Sequence, residues 1–318
     1  MSQMSSYSIV FLDIDGTLLN SQHQVMPCTH QCLQGLRRRG VPIVLCSARP
    51  PEGVNLVADQ VELYGPKACY NGGLIYDEHS SILRDVGIDI RMAMDFRRFA
   101  AERFPELVVS AYLYNIWLTE DPRHPVIRQE AAISGCAPLM GSLEQVADVA
   151  PHVHKLLCIG DPSRIRALQN ELRQQFPDLV ALRSKSNYLE ILPRESTKGS
   201  AAQVLLEHYG LNPEQAVAFG DSDVDVDMLQ CCGFGVAMGN APRQVKEKAD
   251  YVTASNDEGH LHRAEQPAPE IAAGAINLPY IHKEVAYGRF YHSPNAGNYQ
   301  SLSGRAGAGR REPGSAAG

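Results

Sequence analysis

No apolar run in this chain approaches the roughly 20 residues that a membrane helix needs, so no membrane partner is predicted. The first six residues, Met1-Ser2-Gln3-Met4-Ser5-Ser6, carry no basic region ahead of the first apolar run. No secretory leader is expected there. Basic residues are too few to suggest a nucleic-acid partner: 29 Lys and Arg stand against 36 Asp and Glu, a net charge of -7, whereas nucleic-acid binders usually show a basic patch. The eight cysteines contain no Cys-x-x-Cys pair. Cys46 and Cys158 lie inside apolar runs, where a free thiol behaves as a small hydrophobe. A reducing, cytoplasmic setting is expected. The chain has no internal repeat. What is present is an ordinary globular composition, 44% hydrophobic over 318 residues, enough for about two domains.

Four short motifs stand in a fixed order. Asp13-Ile14-Asp15-Gly16-Thr17 follows the apolar run Ile9 to Leu12. Ser47 follows Ile43 to Cys46. Lys198 lies in Ser196-Thr197-Lys198-Gly199, and Gly220-Asp221-Ser222-Asp223-Val224-Asp225 follows Ala216 to Phe219. The first, second and fourth sit where a buried strand ends, and in an open parallel sheet ligands bind at the carboxyl ends of the strands. Carboxylates, a hydroxyl and an ammonium are what magnesium-assisted phosphoryl transfer requires. Magnesium takes one or two carboxylates, with water and substrate phosphate, and Asp13 and Asp221 fit that demand. Asp13 is also the expected nucleophile, splitting one hard step into two through an aspartyl-phosphate. Asp15 is the expected general acid and base. Ser47 can donate to a phosphate oxygen, and Lys198 brings a point charge to the phosphoryl group. Two further residues stay open: Asn71, in Asn71-Gly72-Gly73, is a turn signal or a substrate contact, and Arg49 is a substrate contact or a surface charge. His152/His154 and His260/His262 have metal-like spacing on a strand, but no third ligand is evident and satisfied or surface histidines are the simpler reading.

The elements follow from pattern. Residues 8–80 alternate apolar strands with helices, which implies a parallel sheet covered on both faces. The alternation breaks between about 88 and 186 and resumes from Ser196. An α/β fold is therefore predicted, a Rossmann-like parallel-sheet core with an inserted second domain. The expected division is a first core part at 1–87, the insertion at 88–186, a second core part at 187–258 and a divergent tail at 259–318. Ser303 to Gly318 is almost all Ser, Gly, Ala, Arg and Pro, too little apolar surface to offset chain entropy.

These motifs resemble the haloacid dehalogenase superfamily, in particular its Cof-type branch of capped sugar-phosphate phosphatases. The resemblance spans roughly residues 6–258 and includes Phe11 to Leu19, Tyr70 to Gly73, Lys155 to Pro162, Tyr188 to Pro193, Thr197 to Gly199 and Ala237 to Ala241. It implies an α/β cap inserted after the third strand and magnesium-dependent hydrolysis of a small phosphorylated metabolite. It also implies metal held by the Asp13 carboxylate, the Asp15 backbone carbonyl and the Asp221 carboxylate, with Asp225 in support behind them. Phosphate would be held by the backbone of Ile14, with Ser47, Ala48 and Lys198. The same acid pair serves a phosphomutase, and a catalytically weak metabolite-binding protein is the alternative outside enzymology.

Two departures stand out. The family's last motif usually reads Gly-Asp-x-x-Asn-Asp, and Val224 occupies the Asn position. After Ser255-Asn256-Asp257-Glu258 the chain leaves the family pattern, which continues into a closing amphipathic helix. A shifted reading frame over Gly259 to Ala264 can encode such a helix, so a frameshift or a genuine divergent extension is expected there. Specificity is expected from the inserted domain, where Tyr112, Tyr114 and Trp117 are candidates against a plain packing role.

Overall fold

A computed structural model describes residues 7–258; the readings made for 259–318, including His260 and His262, lie outside these residues. The chain opens with β1 (Ile9–Asp13), β2 (Ile43–Cys46) and β3 (Lys67–Cys69), joined by helices Pro27–Arg38 and Pro51–Gln60. All five residues of β1 and all four of β2 are buried, as continuous apolar runs covered on both faces should be. Both helices begin with Pro at their start, where the missing N–H has no helical partner to lose. β4 (Leu74–Tyr76) and β5 (Ile82–Asp85) then fold back antiparallel.

The middle of the chain carries β6 (Ile88–Asp89), β7 (Val108–Leu113), β8 (Ile116–Thr119), β9 (Pro138–Met140), β10 (His152–Val153), β11 (Lys155–Ile159), β12 (Leu179–Lys185) and β13 (Tyr188–Pro193). The last strands are β14 (Ala216–Gly220), β15 (Phe234–Ala237) and β16 (Tyr251–Val252). The first sheet has the order β16-β15-β14-β1-β2-β3-β4-β5 and is parallel from β16 to β3. The second has the order β12-β13-β11-β7-β8-β9. β6 pairs with β10 between them.

The expected parallel-sheet core is present, and the β4–β5 hairpin adds an antiparallel edge to it. One expectation needs correction. The second core part does not begin at 187: β13 pairs with β11 and β12, and Leu189 and Ile191 are buried in the second sheet's own cluster. The second sheet therefore runs to Pro193, and the return to the first sheet starts after it.

One face of the second sheet packs on helices Ile90–Arg103 and Pro162–Gln175, through Leu156, Cys158, Phe96, Ile165 and Leu168. Its other face places Tyr112, Trp117, Leu157 and Tyr188 in the same buried cluster as Leu12 and Leu45 of the first sheet and Ile14 just past β1. Register puts Lys155 beside Tyr112 and Tyr112 beside Trp117, so all three share that face. Trp117 is 2% exposed and stacks on Tyr112, with ring centroids 5.5 Å apart. Packing accounts for both aromatic rings.

Candidate active site

The chain order of the first sheet reverses at β1. Its neighbour β2 follows directly in sequence, while its neighbour β14 arrives about 200 residues later. That crevice at the carboxyl ends is where open α/β sheets bind ligands. Asp13 ends β1, and Asp221 follows β14. Gly16, at φ +88°, lies in the turn that follows Asp13. A Cβ there would run into the Asp221 carboxylate, so the position needs both the backbone freedom and the missing side chain of glycine.

Lys198, the first residue of helix Lys198–Tyr209, is 2% exposed. Its Nζ donates to Asp13 Oδ1 and to Asp225 Oδ1, each at 2.5 Å. The second oxygen of Asp225 accepts from Asp221 N at 3.1 Å, Ser222 N at 2.8 Å and Ser222 Oγ at 2.7 Å. One fully buried carboxylate thus anchors both the ammonium and the loop that presents Asp221. Burial, and then the charge on Asp225, hold the Asp13 carboxyl well above the usual carboxylate range against the pull of Lys198. Burial and Asp225 likewise push Asp221 up to about 6. Burial alone would lower the Lys198 ammonium, but Asp13 and Asp225 outweigh it and hold it well above its ordinary value.

Carboxylate oxygens of Asp13, Asp221 and Asp225 all lie within 4.8 Å of one another. With all three carboxylates ionised, one ammonium would leave two negative charges uncompensated in a largely buried place. One divalent cation would supply that compensation. The donor set is oxygen only, which suits a hard ion such as magnesium rather than zinc. The residues present fit the metal.

Asp15 stands apart from this cluster, half-exposed. Arg49 grips it through both oxygens, Nε to Oδ2 at 2.8 Å and Nη2 to Oδ1 at 2.6 Å. Burial alone would lower the Arg49 guanidinium; the hydrogen bond and charge of Asp15, and then the charge on Asp13, raise it instead. Ser47 is 2% exposed; its N–H donates to Ala68 O, its carbonyl accepts from Asn71 N, and its Oγ accepts from Arg49 N at 3.2 Å. The Ala48 carbonyl accepts from Lys155 Nζ at 3.0 Å. Ile14 has a buried side chain, and its carbonyl accepts from Leu19 N. Asn71 adopts the left-handed region at φ 54°, and its buried Oδ1 has no partner among the described residues. Asparagine tolerates that backbone region better than most residues.

Sequence reasoning missed three groups that hold Asp221 and its surroundings. Thr17 Oγ1 donates to Asp221 Oδ1 at 3.2 Å. Asn240 Nδ2 donates to Asp221 Oδ2 at 3.3 Å and to Gly16 O at 2.9 Å. Asn256 donates its N–H to Asn240 Oδ1 and its amide to Leu19 O. Asn240 therefore brings an amide to the loop that carries Asp221. Asn240 and Asn256 lie in the stretches Ala237 to Ala241 and Ser255 to Glu258 that carry the family resemblance, but nothing in those stretches gave their amides a role. A third partner for His152 and His154 also appears, from β5: Asp85 Oδ1 lies 2.7 Å from His152 Nε2 and 3.0 Å from His154 Nε2, and Tyr114 Oη donates to Asp85 Oδ2. Tyr114 N–H donates to His154 Nδ1, so Nε2 carries the ring hydrogen and donates to Asp85. His154 is a satisfied histidine with both nitrogens engaged.

Comparisons with known proteins bear on the family and the fold. The profile of the haloacid dehalogenase-like hydrolases matches residues 10–263. A Haemophilus influenzae protein carrying a provisional phosphatase name is 34% identical over 255 residues, covering 80% of this chain and 95% of its own. A Bacillus subtilis 5-amino-6-(5-phospho-D-ribitylamino)uracil phosphatase is 26% identical, covering 78% of this chain and 93% of its own. Among solved structures, a haloacid dehalogenase-like hydrolase from Bacteroides thetaiotaomicron superposes with a TM-score of 0.74 at 29% identity, covering 81% of this chain and 98% of that one.

Proposed function

The chain belongs to the haloacid dehalogenase-like hydrolases, and from that premise we propose a magnesium-dependent phosphatase of small phosphorylated metabolites that works through an aspartyl-phosphate on Asp13. Its reaction class, hydrolysis of phosphate monoesters, is that of the family. The observation that carries the finer reading is the buried arrangement of Lys198 between Asp13 and Asp225, with Asp221 alongside.

Asp13 Oδ1 is fixed by Lys198, which leaves Oδ2 to attack phosphorus. The new Oδ2–P bond forms as the P–O bond to the leaving group breaks. Asp15 gives that leaving oxygen a proton, then takes a proton from the water that attacks the acyl-phosphate and releases inorganic phosphate. Lys198, the Ser47 hydroxyl and the backbone of Ile14 and Ala48 would stabilise charge on the phosphoryl oxygens. Asp13, Asp221 and the Asp15 carbonyl would hold magnesium, with Asp225 behind them; when bound, the ion screens the repulsion between the attacking carboxylate and the phosphate. Arg49 holds both Asp15 oxygens, so the pair must part before Asp15 can transfer a proton. An incoming phosphate dianion is the competing acceptor that would draw Arg49 away.

The second sheet serves in this reading as a cap over the carboxyl edge of the first, with the core formed by 7–87 and 194–258. The buried free thiols at Cys46, Cys69 and Cys158 support a reducing, cytoplasmic setting. The test is phosphate release from a panel of sugar, nucleotide and cofactor phosphates, with and without magnesium. Magnesium-dependent release is expected. Isomer exchange without release would favour a phosphomutase, and binding without either would favour a metabolite-binding protein.

A further inference from the structure

A lysine of the second sheet reaches the loop that carries Ser47. Lys155 opens β11 and is 6% exposed. Its Nζ donates to Ala48 O at 3.0 Å and to Glu190 Oε2 at 3.1 Å, and it lies 4.9 Å from the centre of the Tyr112 ring. Ala48 O and Arg49 N belong to one peptide unit, whose planarity fixes them on opposite sides. The N–H at the far side of that unit donates to Ser47 Oγ at 3.2 Å. A hydroxyl that accepts one hydrogen bond keeps its own hydrogen free for an outside acceptor. The contacts thus form a chain from the ammonium, through one peptide unit, to the Ser47 hydroxyl.

A clamp between two sheets needs no charge. Burying an ammonium is costly unless it is paired, and this one requires the Glu190 carboxylate and an aromatic face to sit there. What the charge adds is a strong donor aimed at the carbonyl behind the phosphate loop. We propose that Lys155 is a positioning residue that orients the Ser47 hydroxyl toward the substrate phosphate and so couples seating of the second sheet to phosphate binding. The proposal rests on the reading of Ser47 as a phosphate donor.

The test is a double-mutant cycle of Ser47→Ala and Lys155→Met in the full chain with magnesium, read as the inhibition constant of inorganic phosphate against p-nitrophenyl phosphate. Each single change should weaken phosphate by about 2–13-fold, the range of one ordinary hydrogen bond. The double variant should be no weaker than Ser47→Ala alone, because the lysine acts through that hydroxyl. Lys155→Arg should recover part of the affinity. Fold-losses that multiply would show that Lys155 only packs the sheets, which overturns this proposal and leaves the role of Ser47 standing. An unchanged constant in Ser47→Ala would overturn both. Lys155→Met leaves Glu190 without its cation, so the cycle is repeated on a Glu190→Gln background, where the same non-additivity is expected and multiplying losses again refute it.

Discussion

Replacing Asp225 by asparagine probes the anchor of the site with almost no change of shape. The native carboxylate accepts from Lys198 on one oxygen and from Asp221 N, Ser222 N and Ser222 Oγ on the other. An amide has one acceptor and one NH2 end, so one of those two sets must face a donor. Turning the NH2 toward the loop leaves two backbone N–H groups unsatisfied, at about 1–3 kcal/mol each. Turning it toward Lys198 forfeits one charge-assisted bond, about 1.5–3 kcal/mol. The second choice is cheaper, so Asp225→Asn should lose about 1.5–3 kcal/mol of stability at pH 7. For a chain of 318 residues that is roughly a 2–6 °C drop in melting temperature, read by urea and thermal unfolding. The same orientation keeps the Asp221 loop in place. A melting temperature within about 1 °C of the parent would refute the idea that Asp225 anchors the site, since the lost charge-assisted bond alone should move it by at least about 2 °C.

Asp15→Asn should slow turnover by roughly 10²–10⁴-fold through lost acid and base help, yet leave magnesium affinity unchanged in calorimetry, because its metal contact is through the backbone; weakened magnesium binding would contradict that assignment. Gly16→Ala should abolish turnover, since it meets both a positive φ and the Asp221 carboxylate; retained activity would mean that the turn can be rebuilt. Val224→Asn should raise kcat/KM by about 2–13-fold if a second amide adds to what Asn240 supplies, whereas a fall would show that the half-buried valine is packed. Stability should also fall with acid. Burial holds the His154 imidazole below its ordinary value of roughly 6.5, so the unfolded chain binds more protons below that pH and the contribution, full above it, is lost as pH falls. Burial alone would raise the Asp85 carboxyl, but hydrogen bonds from His154, Tyr114 and His152 outweigh it and hold it well below the usual carboxylate range; its contribution persists above roughly pH 3.9 and is lost only below. Urea unfolding at pH 7.5 and 5.5 should show the first loss in the parent and a smaller one in His154→Gln; equal losses would contradict it.

Much of the core was legible because its signals are local. β1 and β2 are short uninterrupted apolar runs, each followed at once by polar residues, and their shortness and their Ile and Val content favour a covered strand over a helix. The ordered motifs likewise named Asp13, Lys198 and Asp221, which the fold brings together from residues 13 to 221. The β4–β5 hairpin was not legible: its strands are three and four residues long, too short for a period to declare itself, and they exist through pairing with β3. β13 was legible as a strand, but its apolar positions do not say which sheet receives it. Asn240, Asn256 and the Asp85–His152–His154–Tyr114 cluster were hidden for another reason. Their partners lie 16 to 237 residues away in the chain, and a lone amide or carboxylate in a turn looks the same whether or not a partner arrives. Arg49 remained ambiguous because only the folded chain sets its guanidinium against Asp15.

The central claim is that Asp13 becomes phosphorylated during turnover. Asp15→Asn incubated with magnesium and radiolabelled p-nitrophenyl phosphate provides the direct measurement, because that good leaving group needs little acid help while hydrolysis of the intermediate still needs a base. Acid quenching and peptide mapping should find hydroxylamine-sensitive label on the peptide containing Asp13, and none in Asp13→Asn. Label on another residue, or undiminished phosphate release by Asp13→Asn, would contradict the account.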